Sequence, residues 1–175
     1  MAKNPQNKGM YIIMFKQSVL DRIEVIAHSG IRIDGEKVIY IDPVLVNGEP
    51  HDADILLFTH PHTDHFSPKD AKKLLKHDTV IAMPKSMTTI ANLKLGRKSM
   101  PLLPVQTYEL CGIKIRTVAA YNTKKLNHTK AKKWLGYIHH TPQSLQIHCL
   151  LMLLFRFITE NFSAALMHRI YSVPC

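Results

Sequence analysis

The stretch Ala53-Asp54-Ile55-Leu56-Leu57-Phe58-Thr59-His60-Pro61-His62-Thr63-Asp64-His65-Phe66-Ser67-Pro68 joins a nearly unbroken apolar run to a cluster of three histidines and one aspartate. An apolar run of this length suits a strand covered on both faces. Ser67 then offers a helix cap, Pro68 fits the first helical position, and Asp70 places negative charge in the first turn. Alternate side chains at a strand end point the same way, so His60 and His62 can share one metal ion. Asp64 and His65, on the turn into the helix, can face the same pocket from the other side. Imidazole and carboxylate suit zinc, iron, manganese or nickel rather than a soft thiolate site. Such a loop can hold two ions about 3.5–4 Å apart.

Working outward, short β-rich segments precede this centre at residues 11–15, 22–28, 31–33 and 37–41. Asp34-Gly35-Glu36 marks a hairpin turn between the last two. Asp42-Pro43 closes the final strand, because proline cannot continue the ladder. After the histidines, Ala71, Leu74 and Leu75 form one apolar stripe, with Lys69, Lys72, Lys73 and Lys76 mostly on the other side. A strand over 79–83, a helix over 85–95 ending at Gly96, and a hairpin of 105–110 with 113–118 through Cys111-Gly112 follow. Residues 124–133 read as a basic loop and 134–138 as one more strand. This alternation predicts an α/β (α+β layered) domain.

The chain has 175 residues, 46% hydrophobic and 21% charged, as expected of a single globular domain. Its net charge of +10 attracts phosphate-bearing partners or anionic surfaces, or simply reflects lysines on solvated faces. No interleaving of aromatics with arginine marks a nucleic-acid platform, so no specific nucleic-acid partner is expected. Cys111, Cys149 and Cys175 lack zinc or disulfide spacing, which points to a reducing, cytoplasmic setting. No apolar run approaches the roughly 20 residues of a membrane span.

The segment DADILLFTHPHTDHFSPKDAKKLLKHDTVIAMPKSM resembles the signature region of the metallo-β-lactamase-fold hydrolases. Within them it is most similar to the branch that includes the ascorbate-phosphate lactonases. AHSGIRI and KVIYIDP match that branch's opening strands, and GIKIRTVAAYN and NHTKAKKWLGYI its later ones, so the resemblance covers roughly residues 20–138. It implies an αββα sandwich with a metal pair at one edge, zinc first among the candidate ions. His60 and His62 would bind the first ion, Asp64 and His65 the second, and Asp64 would handle the proton of the attacking water. Asp42 would steady the histidine loop, with His28, Tyr121, Asn122 and His128 near the pocket. The substrate expected is a phosphorylated or lactone-like small molecule, attacked by a metal-activated water.

The resemblance is to the N-terminal half of that sandwich. A full member carries a Gly-Asp-Thr segment after its Gly-Tyr strand, whose Asp bridges the two metals, and later a final histidine. Neither is recognisable here. Residues 139–175 contain no Gly, Asp or Lys, yet hold His139, His140, His148 and His168. This predicts a domain over 1–138 and an atypical tail over 139–175. The tail is read either as a shifted reading frame or as a divergent segment with an apolar helix over 147–162. The alternative function is therefore an incomplete fragment that binds at most one metal, or an interaction module self-associating through exposed sheet edges.

Overall fold

The computed structural model describes residues 22–121 and 129–139. The expected strand over 11–15, Asn122, His128 and the 140–175 part of the tail lie outside the described residues. Among the described residues, nine strands and two α-helices run in the order β1 (Ile23–Ala27), β2 (Gly30–Asp34), β3 (Val38–Ile41), β4 (Ala53–Leu57), α1 (Pro68–Leu74), β5 (Leu75–Pro84), α2 (Thr88–Leu95), β6 (Met100–Leu102), β7 (Thr107–Leu110), β8 (Ile113–Ala119) and β9 (Leu135–His139).

The strands form a six-stranded sheet in the order β1-β2-β3-β4-β5-β6 and a three-stranded sheet β7-β8-β9. The pairs β1–β2 and β2–β3 are antiparallel, and β3–β4, β4–β5 and β5–β6 are parallel. Register explains the layering. Tyr40, Leu56 and Ile81 lie side by side across β3, β4 and β5, and Ile41, Leu57 and Ala82 lie beside them one residue further along. Because successive side chains alternate faces, these rows point to opposite sides of the sheet. The first row packs with Ala71, Leu74, Ala91 and Leu95 of the helices. The second packs with Leu110, Ile115, Leu135 and Tyr137 of the smaller sheet. β4 is thus covered on both faces, as its apolar run requires, and the described layers are helix, sheet, sheet.

Two features departed from the sequence expectation. β5 begins at Leu75, directly after α1, instead of near residue 79. The pairing jumps from Ala53↔Leu75 to Ile55↔Val80, so residues 76–79 bulge from the ladder. Thr79 Oγ1 holds the bulge by accepting from Lys76 N–H (2.8 Å) and donating to the Ala53 carbonyl (2.7 Å). Arg97 donates to the Lys76 and His77 carbonyls, both at 2.7 Å. β6, which was not among the expected strands, contains Pro101. It lies at the sheet edge, where one side of the backbone makes no ladder bonds and proline is tolerated.

Caps mark the start of α1 and the end of α2. Ser67 Oγ accepts the Asp70 N–H at 3.3 Å and donates to Asp70 Oδ2 at 2.8 Å. Residues Lys85–Met87 form a 3₁₀ turn leading into α2. Gly96 ends α2 in the left-handed region, φ 70°, with its N–H on the Asn92 carbonyl.

Candidate metal centre

Strand β3 ends where Asp42 adopts φ 46° and Pro43 leaves the sheet. The Asp42 N–H still bonds the Leu57 carbonyl at 2.9 Å, so Asp42 sits beside the end of β4. Gly30 keeps the β1–β2 turn close to it: a Cβ there would lie 3.0 Å from the Ala27 carbonyl and 3.1 Å from that of Asp42. The loop after Pro43 is tied to α1 by the buried Asp70. Its carboxylate accepts from Leu45 N–H (3.0 Å) and Lys73 Nζ (2.8 Å), while Lys73 also donates to the Val46 carbonyl.

The Asp42 carboxylate is fully buried and accepts three hydrogen bonds. Oδ1 takes the Thr59 N–H at 2.7 Å; Oδ2 takes the Thr59 hydroxyl and the His65 Nδ1–H, the latter at 2.8 Å. The Thr59 hydroxyl has one proton, which it gives to Asp42. It therefore accepts from His60 Nδ1, 2.8 Å away. In the neutral state both His60 and His65 then carry their proton on Nδ1 and their lone pair on Nε2. One buried carboxylate thus sets the tautomer of two imidazoles, the arrangement that prepares histidines to bind a metal.

The electrostatics follow from burial. Removal from water pushes the Asp42 carboxyl above its ordinary pKa, while the bonds from His65 and Thr59 pull the other way. Burial also works against a charged His65, yet the hydrogen bond and charge of Asp42, with Asp64 beyond, raise its pKa overall. Both shifts favour a proton kept on the Asp42–His65 bond.

His60 and His65 are 2% and 5% exposed, and their ring centroids lie 3.9 Å apart. Ligand atoms of Asp42, His60 and His65 all fall within 4.8 Å of one another. His62 and Asp64 flank this core at the surface. The His62 ring meets His60 edge-on at 4.7 Å, and Asp64 Oδ2 is 3.5 Å from His65 Nε2. The structure therefore brings His60, His62, Asp64, His65 and Asp42 together. His28 is exposed in the β1–β2 turn, φ 49°, with no hydrogen bond to the cluster among the described residues. Tyr121 is half-buried just after Ala120, whose N–H bonds the Trp134 carbonyl.

Sequence reasoning missed Thr59 and Trp134. Thr59 carried a signal in the hydroxyl adjoining His60. Trp134 carried none, because its contacts cross more than seventy residues of chain. Its ring lies 4.8 Å from His60 and 4.9 Å from His62.

A family model described as the beta-lactamase superfamily domain matches residues 22–149, which extends past the sequence resemblance drawn to residue 138. No curated protein matches the chain significantly. Among solved structures, a candidate metal-dependent hydrolase from Parabacteroides distasonis is 28% identical, with a TM-score of 0.53, covering 67% of this chain and 55% of that one. A metallo hydrolase from the archaeon Ignicoccus hospitalis is 16% identical, TM-score 0.52, covering 70% and 56%. A diiron β-hydroxylase from Streptomyces venezuelae is 16% identical, TM-score 0.57, covering 69% and 27%. The two less similar structures share the fold. The chain spans between about a quarter and just over half of the length of these proteins.

Proposed function

This chain belongs to the beta-lactamase superfamily, and from that footing we propose that it is a metal-dependent hydrolase in which His60 and His62 hold one divalent ion and Asp64 and His65 a second. The observation that carries the reading is the Asp42–Thr59 arrangement, which leaves the lone pairs of two buried imidazoles on Nε2 within one cluster. The donor set fits a borderline ion: three imidazoles and a carboxylate gathered at one strand end, with no thiol among them. Asp42 is a positioning residue in this reading, since its oxygens already serve Thr59 and His65.

When bound, the ion supplies Lewis acidity and brings the pKa of a water towards about 7. The protein's own groups do the rest. Buried His60 and His65 fix the floor of the site, and exposed His62 and Asp64 form its rim. Asp64, 58% exposed at its side chain, is the catalytic carboxylate positioned to accept a proton at Oδ2. Lys130, Lys132 and Lys133, all exposed ahead of β9, favour an anionic substrate, in keeping with a phosphorylated or lactone-like small molecule. Zinc as the ion and a cytoplasmic location belong to the same proposal.

A second reading, in which the chain binds at most one ion and does not turn over, is favoured by one observation. Among the described residues, the carboxylates at the cluster are Asp42 and Asp64, and Asp42 is occupied by hydrogen bonds. Self-association through open sheet edges fits this reading. Metal analysis combined with hydrolysis assays on phosphodiester and lactone panels separates the two. Close to two ions per chain, lost together with turnover in His62→Ala, supports the hydrolase. One ion or fewer with no turnover supports the incomplete site.

A further inference from the structure

We propose that Trp134 is a positioning residue for the His60–His62 pair, with β9 as the brace that presses it there. This rests on the metal-site reading above and adds to it a residue outside the histidine loop.

Three rings form a closed triangle: Trp134 to His60 at 4.8 Å, Trp134 to His62 at 4.9 Å, and His60 to His62 at 4.7 Å. The indole is tilted 30° to the His60 ring and meets the His62 ring at 79°. These are the near-stacked and edge-to-face geometries that aromatic rings prefer. His60 has Thr59 and His65 to hold it from behind, but His62 lies on the exposed rim. Trp134 packs against that rim imidazole edge-on and so limits the orientations open to it.

Strand β9 is fastened to this loop at the backbone too. Leu135 N–H bonds the Thr59 carbonyl at 3.2 Å, and the Tyr137 hydroxyl donates to the Phe58 carbonyl at 2.6 Å. Burial and the nearby Asp42 charge raise the Tyr137 pKa well above its ordinary value, so this donor keeps its proton. The Trp134 carbonyl in turn accepts from Ala120 N–H at 3.0 Å. Trp134 is 4% exposed, and Lys132 Nζ lies over its ring, 4.8 Å from the centroid. Trp134 is thus a buried wall against the ligands and not a surface for substrate.

Trp134 is the chain's single tryptophan, so its fluorescence reports this triangle alone. The test uses the full 175-residue chain, with Zn²⁺ alone as titrant, in wild type, Trp134→Phe, Trp134→Ala and a control, Ile115→Ala. Ile115 is buried between the sheets and lies in the inter-sheet core, so the control loosens the fold without touching the triangle. Calorimetry gives affinity, the Co²⁺ absorption spectrum gives ligand geometry, and circular dichroism checks the fold. We expect wild-type emission to titrate with the calorimetric midpoint. Trp134→Phe stays within about threefold in affinity, while Trp134→Ala loses about tenfold or more and alters the Co²⁺ spectrum, as removal of ligand-orienting neighbours does. Equal affinity in Trp134→Ala and wild type overturns the inference alone, as does an equal loss in Ile115→Ala. Failure of the wild type to bind Zn²⁺ or Co²⁺ overturns it together with the metal-site reading.

Discussion

Asp42 and His65 lie 23 residues apart in sequence, yet Oδ2 of one accepts from Nδ1 of the other at 2.8 Å in a fully buried contact. The bond links the end of β3 to the start of α1 across the end of β4. The same carboxylate caps the Thr59 backbone N–H, so the geometry of the histidine loop and the closure of the central sheet depend on one side chain.

Asp42→Asn tests that dependence. An amide presents one acceptor and one donor where Thr59 N–H, the Thr59 hydroxyl and His65 Nδ1–H all need acceptors. At least one buried donor is left unpaired, a loss of about 1–3 kcal/mol. Urea unfolding should show that loss, and Zn²⁺ titration should show affinity reduced about 10- to 100-fold. Unchanged affinity would mean that Asp42 serves the fold and not the ligands.

Leu57→Ala tests the layering. Leu57 is buried in the row that faces the smaller sheet, between Ile41 and Ala82. Truncation should cost about 2–5 kcal/mol in chemical denaturation, through lost transfer energy and the cavity left behind. Leu93→Ala, on a side chain 85% exposed on α2, should stay within about 0.5 kcal/mol of wild type. Comparable losses at the two positions would place the core elsewhere.

The acid side of the stability curve should report Asp54 and Asp70. Lys76 and the Val38 N–H depress the Asp54 pKa; at Asp70, burial pushes up but Lys73, Ser67 and the Leu45 N–H outweigh it and depress it. A depressed folded-state pKa means that the unfolded chain binds more protons in the acid range. The stabilisation is present above the unfolded carboxylate value of about 3.9 and is lost as pH falls through the folded one. The difference in unfolding free energy between wild type and Asp70→Asn should therefore be constant near neutrality and shrink below about pH 4. A difference that grew on acidification would contradict this assignment.

The sequence made the central strand and the site legible for physical reasons that are local. The apolar run over 53–58 can be satisfied only by cover on both faces, and Ser67-Pro68 marks the helix start within one residue. The histidine spacing concentrates ligands at that boundary. What stayed hidden depends on distant chain. The 76–79 bulge is stabilised by Arg97 and by the Ala53 carbonyl, neither of which is visible from the bulged residues. β6 is three residues long and contains Pro101, which a strand tolerates only at the sheet edge that the topology gives it. The ties from β9, Leu135 N–H to the Thr59 carbonyl and the Tyr137 hydroxyl to the Phe58 carbonyl, likewise reach the loop from the other sheet.

The account stands most directly on whether the paired imidazoles hold a metal. The measurement is elemental analysis with Zn²⁺ titration of the full chain, wild type against the double variant His60→Ala/His65→Ala, with the fold of both checked by circular dichroism. The prediction is saturable binding of at least one ion per chain in the wild type, abolished in a folded double variant. A wild type that binds no divalent ion, or a double variant that keeps wild-type affinity, would contradict it.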